Sequence, residues 1–209
     1  MNSVGKASKG RKKSDATNQK ILNAAEQLFA ENSYEGTTLR EIAKQVGIKE
    51  PSLYAHFPNK GAIYDAVIER ALIPFYTEIN SWDPQQLTLH DLLSIPRKLL
   101  GLHSEHPHSA QLLHKEFSNP ADKINPKFLQ WLEQIVGRAD SVTAGLPGGD
   151  ETQDPGNSAL TMIILTNVTL SFFSSQGVQS KLLAANYDRD ELFEAHSKIV
   201  DKIFKSMLF

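Results

Sequence analysis

The chain contains no cysteine, which removes disulfide frameworks, thiolate nucleophiles and every cysteine-ligated metal site, and fits a reducing compartment. It also lacks a long hydrophobic run. The most apolar stretch, Ala159 to Phe173, is interrupted by Thr161, Thr166, Asn167, Thr169 and Ser171 and is too short to span a bilayer. Lys6, Lys9, Arg11, Lys12 and Lys13 crowd the N-terminus with no apolar segment behind them, so no secretory signal is expected. These absences together predict a cytoplasmic protein without a membrane partner.

What is present is ordinary for a globular chain. Its 209 residues are 40% hydrophobic and 22% charged, which excludes a disordered or fibrous reading. A chain of this length can bury roughly 70% of its unfolded surface. The net charge of −2 hides a division: residues 1–60 hold ten Lys and Arg against six Asp and Glu, and the remainder twelve against eighteen. A basic front and an acidic back are expected of a phosphate-binding module joined to a module with another task.

Residues 1–14 are Lys, Ser and Gly with almost nothing apolar, and predict a flexible basic arm. Ile21, Leu22, Ala25, Leu28 and Phe29 then share one helical face, with Asp15 or Thr17 available as N-cap and an end near Asn32. Thr37 or Thr38 can cap a short helix whose Leu39, Ile42, Ala43 and Val46 form a second face, and Gly47 supplies the left-handed residue that stops it. A further short helix follows, with Pro51 in its first turn and Leu53 and Phe57 directed to the core. Phe57-Pro58-Asn59 breaks the chain, and Asn59 caps what comes next. Two short helices joined by a tight glycine turn and preceded by a packing helix make a helix-turn-helix.

The remainder predicts helices and no strand. A long one carries Ile63, Tyr64, Val67, Ile68, Ala71, Leu72 and Phe75 and is expected to kink or end near Pro74. Others are placed at about 87–102 with a kink at Pro96, at 107–117, at 126–138 after an Asn125 cap, at 158–176 and at 188–207. The Gly-, Pro- and acid-rich segment 145–157 predicts a mobile loop.

Readers of duplex DNA push a short helix into a major groove about 12 Å wide while neighbouring groups hold the phosphates. The outer face of the second short helix has the residues for this. Ser52 can bond a base edge or phosphate, Pro51 and Ala55 can lie against a thymine methyl, and Tyr54 and His56 can donate to phosphate oxygens. Thr38 and Lys60, each beside a helix start, offer phosphate sites. Glu50 is the awkward member: it can accept from a cytosine amino group, yet a carboxylate among phosphates costs affinity.

The run Thr17-x-x-x-Ile21-Leu22-x-Ala24-Ala25-x-x-Leu28-Phe29-Ala30-Glu31, then Tyr34-x-Gly36-Thr37-Thr38-Leu39-Arg40-Glu41-Ile42-Ala43-x-x-x-Gly47, then Ser52-Leu53-Tyr54-x-His56-Phe57-x-x-Lys60, resembles the DNA-binding domain of the TetR/AcrR family of bacterial transcriptional regulators. The resemblance covers about fifty residues. It implies an all-α homodimer: a three-helix DNA-binding domain at 15–62, and at 63–209 a helical bundle for effector binding and dimerisation. It further implies a palindromic operator in double-stranded DNA, a small-molecule effector, and repression relieved by that effector. On this resemblance the DNA-binding positions are Thr38, Arg40, Lys49, Glu50, Pro51, Ser52, Tyr54, His56 and Lys60. It assigns no effector-binding residue, cofactor or metal, and no enzymatic role. Two positions depart from the family pattern. Ser33 stands where Gly is usual, so the first helix is expected to end with strain or a different cap. Ala55 stands where an aromatic is common, which removes one possible contact.

His103, His106, His108 and His114 raise the alternative of a metal-dependent or acid–base enzyme. Pro107 breaks the helix between the second and third of them, and His108 and His114 fall on different helical sides. No nucleophile–base pair or glycine-rich phosphate loop accompanies them. The default is a helix–turn–helix corner with one or two pocket histidines. A third alternative, a non-specific DNA binder acting through the basic arm, rests on residues 6–13 alone.

Overall fold

A computed structural model of the protein describes residues 4–83, 86–144, 156–183 and 186–208. Among these, every regular element is helical, in agreement with the predicted class. The chain divides into two compact units, Met1–Arg70 and Ala71–Phe209.

The first unit begins with α1 (Val4–Gly36), α2 (Leu39–Val46) and α3 (Glu50–Leu53) and includes the first half of α4 (Lys60–Asn80). Where composition predicts an irregular arm up to residue 14, the backbone is already helical from Val4, and Asp15 and Thr17, expected at the N-cap, sit inside the helix. Lys, Arg and Ala are good helix formers, and extending a nucleated helix costs little per residue. Ile21, Ala25 and Phe29 of α1, Ile42 of α2, Leu53 of α3 and Ile63 and Val67 of α4 are almost completely buried and form the core of this unit. Phe29, Tyr34 and Tyr64 close one side through ring contacts at 4.8–5.8 Å. Arg70 fastens α4 to α1 by donating to Asn23 at 2.7 Å and to Glu26.

Ser33 interrupts α1 with φ 69° and ψ 171°, a conformation adopted almost only by glycine. Strain expected from one substituted glycine is therefore visible in the backbone. Its hydroxyl lies 3.4 Å from the Gly36 amide, a weak compensation. Replacement Ser33→Gly is expected to stabilise the protein by about 1–2 kcal/mol, read as a rise in thermal midpoint; an unchanged or lowered midpoint contradicts the strain.

The second unit contains the rest of α4, then α5 (Leu89–Glu105), α6 (Pro107–Phe117), a single 3-10 turn (Ala121–Lys123), α7 (Pro126–Ala144), α8 (Gly156–Ser174), α9 (Gln176–Leu182) and α10 (Arg189–Leu208). Pro74 and Pro96 lie inside continuous helices rather than ending them. Each removes one ladder hydrogen bond, while the buried Leu72, Phe75 and Ile79 on α4, and Ile95, Leu99 and Leu100 on α5, keep the flanking turns packed. Thr88 with Asp91 forms a capping box at α5, and the Asn125 carboxamide accepts from Lys127 N at 2.9 Å at the start of α7. The single helix predicted over 158–176 ends at Ser174, and α9 follows with its axis bent by 62°. Residues 145–155 of the predicted mobile loop lie outside the described residues; Gly156 and Asn157 open α8.

Helix α8 packs against α5, α6, α7 and α10 and is the axis of this unit. That position buries its Leu165, Leu170, Phe172 and Phe173. A chain of touching rings runs through the core from Phe117 by Phe128, Trp131, Phe75 and His103 to Phe173 and Phe172, with centroids 4.6–5.9 Å apart. No single described helix is long and apolar enough to cross a membrane.

Candidate nucleic-acid interface

The helix-turn-helix is assembled from local signals. Thr38 caps α2 through a reciprocal box: its hydroxyl accepts from Glu41 N at 3.2 Å, while the Glu41 carboxylate accepts from Thr38 N at 2.8 Å. Thr37, the other candidate cap, is fully buried; its hydroxyl lies 2.8 Å from Ser33 O and 3.1 Å from Leu28 O, which ties the chain back onto α1. Gly47 takes φ 77° and ends α2, its N–H reaching the Ala43 and Lys44 carbonyls. Lys49 occupies the N-cap of α3 with Pro51 in the first turn, where its missing N–H needs no partner. Leu53 is 1% exposed and anchors α3 to the core, with Phe57 half-buried beside it. Asn59 caps α4, its side-chain oxygen accepting from Ala62 N at 2.8 Å.

This framework leaves Lys49, Glu50, Pro51, Ser52 and Tyr54 exposed together along the outer face of α3 and the turn after it. Ala55 is exposed and His56 half-buried. Thr38 and Arg40 are exposed at the start of α2, and Lys44 adds a further exposed cation on that helix.

Two of the candidate phosphate ligands are already engaged. The Thr38 hydroxyl also donates to Glu41 Oε2 at 2.7 Å, so both Thr38 donors point at one carboxylate. These bonds hold the Glu41 pKa below the usual carboxylate range. The carboxylate thus occupies the α2 N-terminus where a phosphate oxygen would bind. The T-x-x-E spacing from Thr38 to Glu41 is itself a sequence signature of this box. Lys60 donates to Tyr34 O at 2.8 Å and Thr37 O at 2.9 Å, and its ammonium lies 4.3 Å from the centre of the Tyr34 ring. It clamps the end of α1 to the start of α4, and one of its three N–H donors is left over.

The histidines do not converge. His103 is buried, His106 and His108 are exposed and His114 is half-buried; among the described residues no three His, Asp or Glu side chains are grouped to hold a metal ion.

Helical packing of this kind, with a helix-turn-helix in one unit and a separate helical bundle in the other, defines the class as an all-α, two-unit helix-turn-helix protein. Residues 21–67 match the family described as bacterial regulatory proteins, tetR family. Over 50 residues the chain is 50% identical to the biofilm operon icaADBC HTH-type negative transcriptional regulator IcaR of Staphylococcus aureus (strain Newman), a span that covers 24% of this chain and 27% of that protein. The chain thus spans about a quarter of the length of the curated relatives it matches. Its fold over most of its length is similar to that of FadR from Bacillus subtilis, solved with stearoyl-CoA, at TM-score 0.66 and 20% identity, covering 90% of this chain and 98% of the other. The fatty acid degradation regulator FadR of Bacillus halodurans gives TM-score 0.62 and 19% identity, with 90% and 93% covered. At its helix-turn-helix, residues 21–67, the chain is thus similar to the bacterial regulatory proteins of the tetR family, and over the rest of its length the likeness is one of fold.

Proposed function

We propose that the protein is a ligand-responsive transcriptional repressor, acting in the cytoplasm as a homodimer on a palindromic operator and released by a small-molecule effector. The observation that carries this reading is the joint exposure of Lys49, Glu50, Pro51, Ser52 and Tyr54 beside the exposed Thr38 and Arg40. Lys49, Glu50, Pro51 and Ser52 form the base-reading turn, Arg40, Tyr54, His56 and the remaining Lys60 donor hold phosphates, and Thr38, engaged with Glu41, fixes the start of α2 beside them. A dimer places two such faces in successive major grooves, about one helical turn or 34–36 Å apart. Dimerisation through α8 and α10 is supported by their uncovered apolar side chains: Leu160, Ile163 and Ile164 on one face of α8 and Ile199 on α10 are 39–57% exposed, and a partner subunit would take them out of water.

Effector release follows from differential affinity. A ligand that binds one dimer state better than the other shifts the population by its preference, typically a coupling of about 1–3 kcal/mol. The repressor assignment is supported by the negative regulator IcaR, and the effector assignment by the acyl-CoA-bound neighbour FadR. The domain limits implied by this reading, 15–62 for DNA and 63–209 for effector and partner, remain those of the resemblance.

The test is fluorescence anisotropy with DNA from upstream of the protein's own coding sequence. With six to ten phosphates neutralised per dimer, affinity is expected to fall by about a thousandfold or more between 50 and 200 mM salt, and random DNA of the same length is expected to compete poorly. Binding that is insensitive to salt, or equally strong to random DNA, overturns a site-specific repressor.

A further inference from the structure

The second unit contains a cleft of about 330 Å³ between the last turns of α4 and the middle of α7, walled by Tyr76, Ile79, Trp131, Ile135 and Arg138, with Gly137 at its edge. The neutral polar side chains of Asn80, Gln134 and Ser141 share the lining, and Arg138 is its one charged residue. Arg138 donates Nε–H to Ile79 O at 3.1 Å and an Nη2 N–H to Trp82 O, both carbonyls at or just past the end of α4. A guanidinium has five N–H donors in a planar fork, so these two bonds leave donors over. The ion pairs Arg70 with Glu26, Arg97 with Glu194 and Lys98 with Glu78 use other cations and leave Arg138 out. The nearest acid on α4, Glu78, is already held by Lys98 at 3.1 Å and by the Trp82 indole at 3.0 Å.

A partly buried guanidinium with spare donors, set between apolar and neutral polar side chains, matches a small planar anion with an apolar body. We propose that this cleft binds a small amphipathic carboxylate, with Arg138 pairing to the carboxylate and Trp131, Ile79 and Ile135 covering the apolar part. The proposal rests on reading the second unit as the effector-binding domain and deepens that reading by naming the ligand class. The cleft is open to solvent on one side, and its volume of about 330 Å³ is of the size that seats a small ligand such as a free acid of about eight carbons.

The test uses octanoate as probe on the full-length protein, with calorimetry and the fluorescence of the two tryptophans, Trp82 and Trp131, as readouts. Octanoate is expected to bind, with 1-octanol and octylamine at least tenfold weaker. Arg138→Gln is expected to weaken octanoate at least tenfold. Because that variant also loses two bonds at the end of α4, a second variant leaves them intact: Gly137→Met places a side chain where a Cβ meets open space, improves helix propensity, and is expected to abolish octanoate binding in a protein that melts no lower than wild type. Equal binding of all three probes, or octanoate binding that survives Gly137→Met in full, overturns the site. Binding of octanoyl-coenzyme A with no binding of octanoate overturns the ligand class. DNA anisotropy run in parallel separates the two readings: a protein that binds its own upstream DNA but not octanoate refutes this inference alone, and one that binds octanoate but no DNA refutes the repressor.

Discussion

Between pH 6.5 and 4.5 the protein is expected to lose about 2 kcal/mol of stability through His103 alone. His103 is 2% exposed, stacks against Phe75 at 4.6 Å and faces Phe173 at 5.9 Å, and its Nδ1 has no hydrogen-bond partner. Burial without a partner for the charge pushes its pKa down to about 3. The folded protein therefore keeps this ring neutral while the unfolded chain takes up a proton below about pH 6.5. The unfolded state then binds more protons, and stability falls by about 1.4 kcal/mol per pH unit as the solution is acidified through this window. Full stability is present above the unfolded value and declines until the folded value is reached. His114 and His196 are shifted in the same direction by burial and add to the slope. The depressed carboxylates Glu41, Glu78 and Asp91 have ordinary values of 4.5, 4.5 and 3.8, so their contribution is lost only at lower pH. Urea unfolding at pH 7, 5.5 and 4.5 measures the slope. His103→Phe keeps a ring among rings and removes both the titration and the unpaired nitrogen, so the variant is expected to be markedly flatter over the same range. A variant as acid-sensitive as wild type would show that His103 is not the source.

Lys60 gives the second large effect, and it separates a structural role from a DNA-binding one. Its ammonium makes two charge-assisted bonds to the Tyr34 and Thr37 carbonyls and sits over the Tyr34 ring. Lys60→Met keeps the aliphatic stem and deletes the charge. With hydrogen bonds to charged groups worth about 1.5–3 kcal/mol when buried and less when water reaches them, the first unit is expected to lose about 2–3 kcal/mol in the absence of any DNA. For a unit of this size that is a fall in melting temperature of about 10 °C. Hydrogen exchange at the end of α1 and in the first turn of α4 is expected to accelerate, because the clamp joins these two segments. Affinity for DNA is expected to fall as well, by a similar factor on every sequence, since a phosphate contact carries no base information. A Lys60→Met protein that melts like wild type but binds DNA weakly would make the residue a phosphate ligand and nothing more.

The helix-turn-helix was legible from sequence because its signals are local. A Thr–Glu box closes within four residues, a left-handed glycine stops a helix wherever it stands, and Asn59 caps the helix that begins beside it. Leu53 and Ile42 fall on faces whose period is set by the helix itself. Ser33 illustrates the same locality from the opposite side: a side chain at a position that demands positive φ shows in both sequence and backbone.

The signals that failed are those in which distant segments meet. Spacing identifies Lys60 as a basic residue beside a helix start, but its partners lie 23 and 26 residues earlier, and only folding brings their carbonyls to it. Periodicity cannot rank the four histidines near residue 106; the packing of Phe75 of α4 and Phe173 of α8 around one of them decides which is buried and deprived of a partner. Arg138 carries no motif. Its meaning comes from α4, whose final carbonyls lie 56 and 59 residues away and share one cleft with it. Residue order thus determined where helices start, stop and turn their apolar faces, since each choice is settled within one or two turns of chain. Which faces meet, which polar groups are stranded and where space is left over were decided by tertiary packing, because an apolar stripe specifies that it will be covered but not by what.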